Sequence, residues 1–262
     1  MLKQISAPAA LALLLAACST TPPTGEKAPR MLVPQSLESA DSVAVQWKTN
    51  RVSREPMKIG EWQVTDFRHG WTRSTRSAES LPRIESPAHP APAIAHSAIV
   101  FDKAKRKYSF AVQRGEGPTW EGRCGELQLD QSVRIGRASS GVEVPTDIRQ
   151  SLTCELTSGD KLWVLQLLGD VRPRLGHIDR LWDGQLSDGT TTIEVQPAHK
   201  LANVPFTFPV PVGYVFRGEE HDLGASQAIA PFGMRFAENA TDDERELMVV
   251  ATAALLLHSE TH

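Results

Sequence analysis

Apolar residues recur at every second position along much of this chain. Tyr108, Phe110 and Val112 fall on one face of an extended segment, with Ser109, Ala111 and Gln113 on the other. Leu127 and Leu129 alternate with Glu126, Gln128 and Asp130, Val133 and Ile135 with Ser132 and Arg134, and Ile193 and Val195 with Thr192, Glu194 and Gln196. Period two marks strands with one face covered. Residues 162–168 are apolar on both faces, as in a strand covered on both sides. Turn signals separate the runs. Gly115-Glu116-Gly117-Pro118 precedes Trp120, and Ser158-Gly159-Asp160 joins the strand of Cys154 to that of Trp163. Asp188-Gly189 suits a type I′ hairpin turn, which needs positive φ at both central residues. The runs amount to roughly a dozen short strands, at the spacing of sandwiches and barrels.

One segment departs from this pattern. Thr241-Asp242-Asp243-Glu244 reads as a capping box, and its acidic residues complement the dipole of a helix over 242–258. Residues 247–257 are apolar all round, so protein or lipid must surround them. Eleven helical residues span only about 16 Å, far short of a bilayer core. The expected fold is therefore mainly β: about twelve antiparallel strands in a barrel or sandwich, with one buried hydrophobic C-terminal helix.

The amino terminus carries an address. Lys3 is followed by a short apolar stretch over residues 9–17, ending in Leu15-Ala16-Ala17-Cys18. This motif resembles the lipobox of bacterial lipoproteins. The resemblance implies a signal peptide over 1–17 and an acylated Cys18 as the membrane anchor, each buried methylene contributing about 0.8 kcal/mol. Ser19 in place of an Asp favours the outer membrane, with the domain facing the periplasm or carried to the cell surface. Residues 18–42 are rich in Pro and Thr and read as a tether, and 43–262 as a single β-rich domain. The Pro-rich stretch 77–97 reads as a long loop inside that domain, because Trp62, Phe67 and Trp71 before it need a core. In an oxidising envelope, Cys124 and Cys154 are expected to pair as a structural disulfide.

A second resemblance is architectural. Gly213-Tyr214-Val215-Phe216-Arg217, the run 225–236 and the hydrophobic helix resemble the tubby-like fold and its LURP-one and scramblase relatives. That resemblance implies a barrel of about twelve strands around a central C-terminal helix, and no catalytic motif. The segments GWTR at 70–73 and TWEGRC at 119–124 are similar to uncharacterised bacterial envelope proteins, which implies no activity.

Charge and candidate chemistry narrow the function classes. With 28 Lys and Arg against 31 Asp and Glu, the chain lacks the basic excess of a nucleic-acid binder. No G-x-S-x-G elbow is present, and Gly224-Ala225-Ser226 lacks its second Gly. The eight His are scattered without HExxH or HxH spacing, so neither a metal nor another cofactor is expected. His177 and Asp179 near Asp170 read as a solvated loop, and Glu219-Glu220-His221-Asp222 as a hairpin tip. Asn239-Ala240-Thr241 matches a glycosylation sequon but reads as the helix N-cap region. The basic run Lys103, Lys105, Arg106 and Lys107, between Phe101 and Tyr108, reads first as a solubilising turn. Its functional alternative is contact with anionic lipid or lipopolysaccharide, extended by Arg68, His69, Arg73 and Arg76 if the fold gathers them. No catalytic residue stands out. The expected function is a membrane-anchored, non-enzymatic module that binds lipid or an envelope protein, or serves as a structural tether. The alternative is an envelope hydrolase in which a Ser or carboxylate meets His177, His199 or His221.

Overall fold

The computed structural model describes residues 28–47, 56–70, 72–80, 97–135, 142–174 and 177–260. Thirteen antiparallel strands follow in chain order: β1 (Asp41–Gln46), β2 (Met57–Ile59), β3 (Trp62–His69), β4 (Arg73–Ser80), β5 (Ser97–Arg114), β6 (Thr119–Ile135), β7 (Val142–Ser158), β8 (Lys161–Arg174), β9 (His177–Ser187), β10 (Thr192–Ala198), β11 (Gly213–Arg217), β12 (Asp222–Gln227) and β13 (Gly233–Phe236). A helix, α1 (Asp242–Glu260), follows them. Neighbours pair in the order β3-β2-β1-β13-β12-β11-β10-β9-β8-β7-β6-β5, and β3 pairs with β5 to close a ring of twelve. A closed barrel, not a sandwich, is therefore the architecture. Closure leaves no edge within the ring. At the closing seam Arg114 makes two hydrogen bonds to Glu61, at 2.9 and 3.0 Å, and stacks over Trp62.

The helix fills this barrel. Leu247, Met248, Val249, Val250, Ala251, Thr252, Ala253, Ala254, Leu255, Leu256 and Leu257 are all buried. Such an all-round apolar helix is stable in water only because wall residues cover every side, among them Phe110, Leu156, Leu165, Phe216 and Phe236. The capping box forms as its sequence dictates: Glu244 N–H donates to Thr241 Oγ1, and Thr241 N–H to Glu244 Oε2. Glycine lets the close-packed wall form at Gly122, over which the Phe110 ring lies, and at Gly224, where a Cβ would meet Met248 Sδ at 2.9 Å. Among the described residues, no helix is long and apolar enough to cross a membrane.

The wall is very unequal in height. The strands from β10 through β13 and β1 to β3 have three to eight residues, whereas β5 has 18, β6 and β7 have 17 each, and β8 has 14. The surplus of β5–β9 rises beyond the barrel as an open sheet, extended by β4 on the free side of β5. This hood stands at the end where α1 finishes. Strands β3 and β4 are two lengths of one line along β5: His69 pairs with Tyr108 and Arg73 with Lys105.

Five expectations change. The basic run 103–107 is not a turn but the middle of β5, paired residue for residue with Leu129 back to Gly125. Residues 168–174 and 177–181 are not a loop but the ends of β8 and β9, with Arg172 opposite Asp179. Residues 77–80 belong to β4 and 97 to β5, which leaves 81–96 outside the described residues. Asp188-Gly189 does not make a two-residue I′ turn. Only Gly189 has positive φ, because the Asp188 carboxylate accepts the N–H groups of Thr190 and Thr191 and organises a four-residue loop instead. The segment expected as tether is also partly packed. Met31 bridges Leu201, Leu37 is fully buried, and Ser36 donates a 2.6 Å hydrogen bond to Asp222. Burial pushes the Asp222 carboxyl up, but the Ser36 hydroxyl and Arg217 outweigh it and hold the group below the usual carboxylate range.

Candidate binding surface

Strand parity assigns every hood residue to a face. On β6, Trp120, Gly122 and Cys124 point into the barrel, and the even positions Glu126, Gln128 and Asp130 continue that face upward without a break in register. Leu127 and Leu129 therefore point outward. The usual rule of apolar inside and polar outside is reversed above Gly125. Registers across the sheet align Arg73, Lys105, Leu127, Ser151 and Leu168 in one outward row. Thr75, Lys103, Leu129 and Arg149 form the next, and Phe101 stands beside Gln131 in a third. Phe101, Leu129 and Leu168 are 38%, 40% and 69% exposed. Three large apolar side chains on the outside of one sheet are a patch, whereas single exposed ones need no explanation.

Two shallow cavities of about 460 and 390 Å³ lie on this sheet and share Leu129 and Arg149. Cations flank the apolar residues: Arg73, Lys103, Lys105 and Lys107 are exposed along one side. Among the acids of this face, Glu79 and Asp183 are exposed at its margins, whereas the registers place Asp170 beside Arg149 and Asp147 beside Gln131. The arrangement suits an amphiphile with an anionic head, because methylene-rich and cationic groups alternate over a few ångströms.

The inner face carries a different chemistry. Arg106 turns inward, and its guanidinium contacts Glu126 Oε2 at 3.4 Å. His258, in the last turn of α1, brings Nε2 to 3.6 Å from the same oxygen and packs edge-on against Trp182. Gln150 is buried beside them, and its Oε1 has no hydrogen-bond partner among the described residues. Cys124 and Cys154 face each other directly across β6 and β7 and form the disulfide just below this network.

The residues singled out from the sequence are thus distributed. Lys103, Lys105 and Lys107 share the outer face, whereas Arg106 belongs to the inner network. Arg73 joins the outer row, but Arg76 faces the other way, 3.8 Å from Asp102. Arg68 sits by Asp66 at 3.9 Å, and the His69 ring packs on Phe67. Cys18 and Trp71 lie outside the described residues. His199, whose Nδ1 lies 3.0 Å from the Phe208 carbonyl, follows β10 at the hood end, while His221 sits in the β11–β12 turn at the opposite end. His177 begins β9, so these three histidines stand on separate elements. The turn holding Glu219 and Glu220 is the hairpin tip expected. No group of three His, Cys, Asp or Glu able to hold a metal occurs among the described residues.

Sequence reasoning missed the inward Arg106–Glu126–His258 network. Its signal was present: Glu126 lies two residues beyond Cys124, so if Cys124 faces inward, parity carries Glu126 with it. Comparison with protein-family models, with curated proteins and with solved structures gives no match.

Proposed function

We propose that this chain is a lipid-anchored protein of the bacterial envelope, held in the outer membrane by acylated Cys18. Its domain is a non-enzymatic binding module that works through the outside of the hood. The observation that carries this reading is the reversed face of β6, which puts Leu127 and Leu129 outward among lysines. The barrel interior supports it from the other side, since α1 occupies the space in which a carrier barrel would hold its ligand. A long, exposed, partly apolar sheet is also an aggregation liability unless something covers it.

The test uses a photo-crosslinking residue at Leu168 in the acylated chain in its own membranes, with a second at Asp160 in the opposite β7–β8 turn. The reading expects an adduct, to lipid or protein, at Leu168 and none at Asp160. No adduct at Leu168, or equal adducts at both, overturns it.

A further inference from the structure

We infer that the outer face of the hood rests on the anionic phospholipid surface of the same bilayer that holds the anchor. This inference rests on the anchored reading above and names the partner of its binding surface. Three observations carry it.

The first is where the tether arrives. Residues 29–31 are fixed by Gln227, whose Nε2 donates to the Pro29 carbonyl at 3.1 Å and whose Oε1 accepts the Met31 N–H at 2.7 Å. Gln227 ends β12. Strand directions alternate around the ring, so the end of β12 lies at the same end of the barrel as the C-terminus of α1 and the hood. The helix start is tied to the opposite end by Lys161 and Asp243, 3.1 Å apart.

The second is reach. About ten residues separate Cys18 from Ala28, a contour of at most roughly 36 Å. The hood part of β5, from Ser97 to Lys107, rises at most about 34 Å at the rise of a strand. A tether of about the hood's own length keeps the hood close to the membrane in which Cys18 sits, while the opposite end of the barrel points away.

The third is chemistry. A bilayer surface offers phosphates at one level and acyl chains a few ångströms deeper. Lys103 and Lys105 stand directly opposite Leu129 and Leu127 on the neighbouring strand. Ammonium groups on flexible stems meet phosphates while the leucines and Phe101 enter the acyl boundary. Of the acids of the same face, Glu79 and Asp183 lie at its edges, and Asp147 and Asp170 share rows with Gln131 and Arg149, two and three strands away from the lysines of β5.

The experiment places an environment-sensitive fluorophore on Leu168→Cys in the acylated full chain, reconstituted in vesicles after the acyl mass on Cys18 is verified. With Cys124 and Cys154 in their disulfide, the new cysteine is the free thiol to label. Asp160→Cys serves as the distal comparator. On phosphatidylglycerol-containing vesicles, the label at 168 should shift to the blue and be quenched by spin-labelled lipid. On phosphatidylcholine vesicles it should resemble the comparator. The double variant Lys103→Glu/Lys105→Glu should weaken contact on anionic vesicles at least about thirtyfold. Water-like emission from 168 on both vesicle types overturns the inference. If that result comes with a protein adduct at Leu168 in native membranes, the binding-module reading survives and the lipid partner falls. A Cys18 found unacylated in native membranes removes the anchor and this inference with it.

Discussion

The Tyr108 hydroxyl donates a 2.8 Å hydrogen bond to the carbonyl of Ala254, tying the longest strand of the wall to the C-terminal half of the helix. Burial, then the charge of Glu126 and the neighbouring Tyr214, hold this phenol well above its usual pKa. Burial raises Tyr214 as well. These are the only two tyrosines in the chain. Both groups lose protons near pH 10 when unfolded and much later when folded, so their contribution is intact below about pH 10 and is lost as pH rises beyond it. Absorbance at 295 nm should stay low through pH 10.5 and then rise together with loss of far-ultraviolet structure. Tyrosinate appearing while the barrel is still folded would contradict the buried Tyr108.

The disulfide joins positions 30 residues apart that are already neighbours across the sheet. In the chain-entropy account, reduction costs about 3–4 kcal/mol by freeing the unfolded chain. Urea denaturation with and without reductant should show a lower midpoint at unchanged slope. An unchanged midpoint would mean the bridge contributes nothing.

Leu256 is 1% exposed inside the barrel. Leu256→Ala should cost about 2–5 kcal/mol and leave a folded, cooperatively melting protein. Leu256→Asp should abolish folding, because the closed wall offers a carboxylate no water. A cooperative melt from the aspartate variant would sink the buried-helix packing.

Adjacent residues of β5 should respond oppositely. Arg106 pairs with Glu126, whose side chain is 2% exposed, whereas Lys105 is exposed on the outer face. Arg106→Gln should lower stability by about 2–3 kcal/mol, and Lys105→Gln by less than about 0.5 kcal/mol. Only the Lys105 variant should change membrane contact without changing the urea midpoint. Equal destabilisation would place both on one face.

The strand count and the helix with its cap were readable because each depends on local spacing, and the pairing of Cys124 with Cys154 because Cys18 is the only other cysteine in the chain. Period two identifies a strand but does not say which of its faces is inside. Leu127 and Leu129 look like core residues to any rule that sends leucine inward. Their outward placement follows from Trp120, Gly122 and Cys124, which the barrel holds inward on the same strand. The basic run looked like a turn because charge clusters there in most hairpins; only the pairing of β5 with β6 along its whole length shows otherwise. The inner network needed α1 to bring His258 back to Glu126, a contact between segments more than a hundred residues apart.

Every strand of the wall precedes α1 in the chain. A polypeptide synthesised or exported from its amino terminus presents thirteen strands before the one element that can fill their interior. The wall can curl but not close onto anything dry until the segment from Asp242 onward emerges, so productive folding must be a late, near-simultaneous event and not a progressive one. The unfilled intermediate has edge strands and an apolar lumen open to its neighbours, which makes it the state a holding chaperone would need to guard. A chain cut at Thr241 should accumulate in that state and be degraded, even though it keeps every strand.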